Sequence, residues 1–296
     1  MSSGKVSWLP LCPLLLASVA CSSAPECSSY AESSIAALRT ADGSGCFELK
    51  DVVLVARTPS GASPRLYLQD RAGGDFSAVM AKCDTSSSSH PCPQQTQADL
   101  AKLLNGSSLT ARGYYHQGSQ SGFEELYLDA VVDNGSLAEP PAPLVLEPAD
   151  LAKDARRPAA WFQRVALTVP PADPWVIADL SPPELAFGNT CPRFGGFAML
   201  PASKGAAPAA DCSNGENPPA ASPTPDGEIL IGRQFYDGFW ASSDCACALD
   251  HKQHLISGFS TLVGNVRGLL ILEQIRGFTV QVLEPATKAD FPVSGG

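Results

Sequence analysis

The sequence predicts a mainly β protein built from two small, five-stranded Greek-key barrels with short helices. Three observations carry that expectation. Apolar and polar residues alternate in short runs, as in half-buried strands. The same order of elements passes twice along the chain. A proline-rich stretch, AEPPAPLVLEP (residues 138–148), stands between the two passes and reads as a linker. A length of 296 residues suits about two domains.

The first pass opens with SSIAALR (33–39), where Ile35 and Leu38 have helical spacing. ELKDVVLVAR (48–57) follows as the first strand, then a turn with Pro59 and Gly61, RLYLQD (65–70) as the second strand and FSAVMAK (76–82) as the third. QQTQADLAKLLNG (94–106) predicts a helix whose apolar face is Leu100, Leu103 and Leu104 and whose stop is Gly106. SLTARGYYH (108–116) and EELYLDAVVD (124–133) complete five strands. A helix between the third and fourth of five strands is the element order of the OB-fold, a small Greek-key barrel.

The second pass repeats the order more loosely. PADLAKDAR (148–156) takes the helical place, AAWFQRVALTV (159–169) the first strand, WVIADL (175–180) the second and GGFAMLPA (195–202) the third. After a long interruption, HLISGFSTLVGNV (254–266) and GLLILEQIRGFTVQVL (268–283) close the set. LTARG (109–113) parallels STLVG (260–264) in pattern.

SIAALR followed by FELKDVVLVA, then LYLQD, GGDFSAVMA, GSSLTARGYY and FEELYLDAVV, resembles the tandem OB-like modules of bacterial envelope lipoproteins and of proteins beside secreted nucleases. The resemblance implies a module that binds or positions, and it carries no catalytic residue with it.

The N-terminus reads as an export signal. Lys5 precedes an apolar run of about 15 residues, too short and too interrupted by Pro10 and Pro13 to span a bilayer. Its end, Ser18-Val19-Ala20-Cys21, resembles a bacterial lipobox, which implies that Cys21 takes a diacylglycerol and becomes the mature N-terminus. Ser18 stands where leucine is usual, and an ordinary cleavage after Ala20 or Ala24 is the alternative. With lipidation, Ser22 in place of Asp implies an outer-membrane address in a two-membrane host. The expected organisation is a signal peptide (1–20), a lipid-proximal tether (21–32), a first OB-like domain (33–137), a linker (138–147), a second OB-like domain (148–285) with an insertion around 201–227, and a tail (286–296).

The formal charge is −10. Removing residues 1–20 takes away Lys5 and no acid, which leaves −11. That charge opposes binding to double-stranded DNA, which is driven by cationic contacts to phosphate. The expected partner is the membrane, through the anchor, with carbohydrate or another envelope protein as candidate ligands. The sequence does not speak to oligomeric state, and no cofactor is implied. Gly-x-Ser-x-Gly, His-Glu-x-x-His and phosphate-loop patterns are all missing from the sequence, so the reading is noncatalytic.

One surface is organised enough to be a site. If Leu66, Leu68, Leu109, Ala111, Leu126, Leu128, Ala130 and Val132 point into the first barrel, strand alternation turns Arg65, Tyr67, Gln69, Arg112, Tyr114, His116, Glu125 and Tyr127 outward. Tyrosines beside arginines suit stacking on a base or a sugar ring, with Arg65, Tyr67, Arg112, Tyr114 and Tyr127 as the binding candidates. Cross-strand pairing on a solvated sheet face accounts for the same residues without a ligand.

Of ten cysteines, Cys12 leaves with the signal and Cys21 goes to lipid. The remaining eight read as disulfides in an exported chain. Cys83 and Cys92 flank the polar run DTSSSSHP, and Cys27 and Cys46 are the other two of the first half. Cys191 precedes the Ala- and Pro-rich insertion and Cys212 lies within it, and the motif DCACALDHKQH (244–254) supplies Cys245 and Cys247. Pairing each of the last two with one of Cys191 and Cys212 staples the insertion to the barrel. The alternative is a Cys2His2 metal set of Cys245, Cys247, His251 and His254, with copper(I) favoured over zinc by the soft sulfurs; it leaves Cys191 and Cys212 unpaired.

Overall fold

The computed structural model describes residues 26–41, 43–58, 63–87, 89–117, 124–152, 157–179, 197–204, 229–232, 234–235, 261–262, 264–275 and 278–294. In chain order the first sheet holds β1 (Ala31–Ser33), β2 (Gly45–Arg57), β3 (Arg65–Asp70), β4 (Ala78–Lys82), β5 (Ser107–Gln117) and β6 (Glu124–Leu137), with helices α1 (Ile35–Thr40) and α2 (Gln94–Leu100). The strand order β2-β3-β4-β6-β5 closes through a β2–β5 pairing, and only β4–β6 is parallel. This is a closed OB-type barrel.

Closure depends on β2 serving two neighbours. Its N-terminal half pairs with β5 and its C-terminal half with β3. The register shifts between Leu49 and Val52, where Asp51 sits in the left-handed region at φ 53°. A bulge there bends the strand, as bulges do. Helix α1 is fixed to the far end of β3. Ser34 caps it by accepting from Ala37 N, and the Asp70 carboxylate accepts from Ile35 N and Ala36 N, each at 3.1 Å. Helix α2 stops at Leu100, short of the expected 106. Leu100 and Leu103 enter the core, while Leu104, expected on the same face, is 63% exposed.

The second sheet contains β7 (Leu144–Leu146), β8 (Arg164–Leu167), β9 (Trp175–Asp179), β10 (Phe197–Pro201), β11 (Ile229–Ile231), β12 (Thr261–Leu262), β13 (Val266–Ile275), β14 (Phe278–Glu284) and β15 (Val293–Ser294), with helices α3 (Pro148–Ala152) and α4 (Arg157–Ala160). Its pairings repeat those of the first. β9–β10 and β10–β11 are antiparallel, β11–β14 is parallel, and β14–β13 and β13–β8 are antiparallel. The place of the bent β2 is shared by β8, which faces β13, and β9, which faces β10. Each pass also begins alike, with a short strand laid parallel on the first barrel strand, β1 on β2 and β7 on β8.

These pairings revise the expected elements of the second pass. Trp175–Asp179 of WVIADL belongs to the first strand position, FAMLP is the second strand, and the third is Ile229–Ile231, beyond the insertion. The run GLLILEQIRGFTVQVL contributes to two antiparallel strands, paired from Leu269↔Glu284 to Ile275↔Phe278. Residues expected in the tether, the linker and the tail form β1, β7 and β15.

Each barrel has its own apolar interior. Leu49, Leu54, Leu66, Leu68, Leu109 and Leu126 are buried in the first, and Leu167, Trp175, Met199, Ile231, Leu270 and Leu283 in the second. A third cluster joins the barrels. Ala56, Tyr67, Ala78 and Met80 of the first pack with Phe162, Leu230, Leu269, Ile271 and Val282 of the second. Strand alternation explains it, because the outer faces of β2, β3 and β4 are apolar at these positions and are buried by the neighbouring barrel rather than by solvent-side helices.

Candidate binding surface

The expected aromatic face divides between two places. Tyr114 on β5 and Tyr127 on β6 are direct cross-strand partners, both half-buried, with Arg112 exposed beside them. Tyr67, by contrast, is 1% exposed. Its ring stacks on Phe162 at 6.5 Å and meets Phe235 edge-on at 5.9 Å. Gln69 is likewise buried, and Arg65 is half-buried at the edge of β3. Alternation does send Tyr67 and Gln69 out of their own barrel, but the second barrel covers them. The expectation that Tyr67 belongs to an open ligand face is therefore corrected.

The inward set also changes partway along β6. Leu126 and Leu128 point into the barrel, but Val132 is 53% exposed and Val131 is buried in its place. The cause is a bulge. Arg112 pairs with Ala130 while Gly113 pairs with Leu128, so Asp129 is an extra residue that reverses the alternation beyond it. Gly113 makes the close approach possible, since a Cβ there would lie 2.1 Å from Tyr127 O.

Asp129 then becomes the centre of a polar cluster. Tyr30 OH donates to its Oδ2 at 3.0 Å, His90 Nε2 lies 2.9 Å from its Oδ1, and Thr96 Oγ1 donates to its main-chain oxygen at 2.6 Å. The His90 ring stacks over Tyr114 at 5.8 Å and tilts against Tyr127 at 5.6 Å. His90 is presented by the loop that the Cys83–Cys92 disulfide closes. Next to it, Lys82 pairs with Glu125 at 2.5 Å, and Tyr127 OH donates to the other oxygen of Glu125 at 2.9 Å. Burial, followed by the negative charge of Glu125, pushes the Tyr127 phenol up to about 12. Arg112 forms an ion pair with Glu48 and lies 5.9 Å from the Tyr30 ring centre. The result is a patch of ring faces whose polar ends are tied to one another. Sequence reasoning missed His90, Asp129 and Tyr30. His90-Pro91 within the Cys83–Cys92 loop and Gly113 amid β-branched and aromatic neighbours are the signals that point to them.

A second group missed in the sequence lies at the seam. Arg39, with its side chain buried, pairs with Glu124 at 2.5 Å and donates to Ala78 O of the first barrel and Trp161 O of the second. Its guanidinium lies 5.4 Å from the Phe76 ring centre and 5.6 Å from that of Phe162. Both phenylalanines have left-handed backbones, φ 59° and 68°, a conformation that bulky residues keep only where their surroundings hold them.

Both expected disulfides of the first half are formed, Cys27–Cys46 and Cys83–Cys92, which fits an oxidising, exported environment. Cys21, Cys191, Cys212, Cys245, Cys247, His251 and His254 lie outside the described residues. Among the described residues, no three His, Cys, Asp or Glu side chains group as metal ligands, and no helix is long and apolar enough to cross a membrane.

No protein-family model and no curated protein sequence matches the chain. The class is set by the fold, a mainly β protein of OB-like barrels, the first of which carries two disulfides. Its two barrels meet across a buried apolar seam.

Proposed function

We propose that the protein is a lipid-anchored envelope protein, held to the outer membrane through Cys21, and that it acts as a noncatalytic binding or structural module whose two barrels work as one rigid body. The observation that carries the reading is the seam. In OB-folds the face of strands 2 and 3 serves for oligonucleotides and oligosaccharides; here the outward residues Tyr67, Ala78 and Met80 of those strands are buried against the second barrel. That packing supports a fixed double barrel over two independent ligand-binding modules. With lipid on Cys21, the Cys27–Cys46 disulfide would limit the tether, since it ties the chain six residues on to the first barrel strand. Six residues reach about 20 Å at most, so the barrels would stand close to the lipid surface.

Feeding cells a fatty-acid analogue tests the anchor. Label is expected on the wild type and not on Cys21→Ser, which should leave the membrane fraction. Label retained by the variant contradicts the proposal. A second reading, an accessory module that presents carbohydrate or nucleic acid to an enzyme, draws on the half-buried Tyr114 and Tyr127 rings beside His90. Replacing both tyrosines with serine should then abolish glycan-array binding while the fold persists.

A further inference from the structure

The barrels leave a cleft of about 500 Å³ where their seam opens, within the roughly 300–1,000 Å³ of small-molecule sites. Three arginines line it, Arg57 from the first barrel and Arg164 and Arg267 from the second. Arg57 donates one N–H to Leu100 O at 2.8 Å, and Arg164 one to Pro141 O at 3.0 Å. Those bonds orient the two guanidiniums and leave their other donors available.

Among the described residues, none of the three is ion-paired. This is unusual in a chain of net charge −10. In the first barrel Arg39, Lys50, Lys82, Lys102 and Arg112 each have a carboxylate partner. Both acids that line the cleft accept main-chain hydrogen bonds, Glu284 from a residue of the cleft itself. Glu284 accepts from Gln234 N at 2.7 Å, and Asp290 accepts from Thr287 N and Oγ1, each at 2.9 Å.

Two further features narrow the ligand. Gln234 lines the cleft, and its Oε1 is buried with no hydrogen-bond partner. A buried acceptor of that kind calls for a donor, which a simple carboxylate lacks at neutral pH and a sugar hydroxyl supplies. The cleft is also lined by Val55, Leu104 and Pro143, apolar residues that are partly or largely exposed and suited to the C–H faces of a ring. Guanidinium forks match carboxylates with two parallel hydrogen bonds.

We propose that the cleft between the barrels binds an acidic sugar, a uronic acid unit whose carboxylate is held by Arg57, Arg164 and Arg267 and whose hydroxyls reach Gln234. This rests on the reading of the protein as a binding module and gives that module a ligand class.

Titration calorimetry of the mature, full-length protein tests it with three probes: a galacturonic acid trimer, the neutral galactose trimer and inorganic phosphate. The acidic trimer should saturate a single site, bind more weakly as salt rises, and bind at least tenfold more weakly to Arg267→Gln. Arg267 is exposed and has no hydrogen bond or ion pair among the described residues, so that variant should keep the wild-type unfolding midpoint. Arg57→Lys keeps the charge and loses the fork, and should fall between the two. Equal binding of the neutral trimer, phosphate binding as tightly as the trimer, or unchanged affinity in Arg267→Gln and Arg57→Gln would each overturn the site. A chain that is lipidated at Cys21 and ignores the acidic trimer removes the cleft and keeps the anchor; binding by a chain that never takes lipid does the reverse.

Discussion

Ser77 of the first barrel donates a 2.8 Å hydrogen bond to Gln163 of the second, and both residues are fully buried. The bond belongs to a closed network. Gln69 Nε2 reaches Ser77 Oγ at 3.3 Å and Gln163 Oε1 at 3.5 Å, while Gln163 Nε2 donates to Ala159 O at 2.6 Å. Phe76 N, alongside, donates to the same carbonyl at 2.8 Å. Polar groups set into an apolar seam accept few alternative alignments, so this network fixes how the two barrels register on each other.

Replacing Gln163 with leucine should cost roughly 1–3 kcal/mol, the usual penalty for leaving buried polar partners unmet. Urea unfolding would measure it. Gln69 and Ser77 lose their shared acceptor in that variant, so Gln69→Leu added to Gln163→Leu should cost less than the sum of the single changes.

Arg39→Met should cost more, roughly 3–5 kcal/mol, because it strands the Glu124 carboxylate and removes the donor shared by Ala78 and Trp161. Its side chain is fully buried and that of Glu124 is 16% exposed. Pairing it with Glu124→Leu should recover part of the loss in the same unfolding experiment. A double variant no better than Arg39→Met would show that the two main-chain bonds, not the ion pair, carry the stabilisation.

At high pH the Tyr127 phenol should weaken the fold. Burial and Glu125 raise its pKa from 10.0 to about 12, so the folded state holds the proton more tightly than the unfolded state. Its contribution is complete below the unfolded value and is lost as pH rises from about 10 through about 12. Tyr115 shifts in the same direction, with burial again the leading cause. Urea midpoints followed across that range should fall less steeply in Tyr127→Phe than in the wild type.

The purified mature protein should show no free thiol before reduction, with the peptide holding Cys245 and Cys247 joined to those of Cys191 and Cys212. Mass mapping reads this directly. Two free thiols with stoichiometric copper or zinc, lost when His251 and His254 become alanine, would establish the metal set instead. In the first barrel, Cys83 and Cys92 are nine residues apart, and changing both to serine should cost about 2–3 kcal/mol by freeing the unfolded chain. The near-ultraviolet signal of Tyr114 and Tyr127 should change with it, since that loop holds His90 against them.

Much of the first barrel was legible because each of its strands is long enough to show alternation, and because turn residues bound them. What escaped has physical causes. Tyr67 and Met80 have the pattern of residues outside their barrel, and no local pattern distinguishes solvent from a second barrel 90 residues on. Asp129 reverses the alternation of β6, a one-residue event that periodicity counts smooth over. Ile229–Ile231 is three residues long and follows an Ala- and Pro-rich insertion, so its place as a barrel strand depends on pairing with β10 and β14 rather than on its own sequence. Tyr114 and Tyr127 were legible as surface aromatics, but His90 and Asp129 join them only through the disulfide loop and the bulge.

The most direct test of the double barrel is equilibrium unfolding followed by two reporters. Every tryptophan of the mature chain, Trp161, Trp175 and Trp240, lies in the second half, so tryptophan fluorescence follows the second barrel, while hydrogen exchange at Leu54, Leu68 and Leu109 follows the first. A seam that joins the barrels into one body predicts coincident transitions with a single midpoint in urea. Two separated transitions, with tryptophan fluorescence changing while Leu54, Leu68 and Leu109 stay protected, would contradict it.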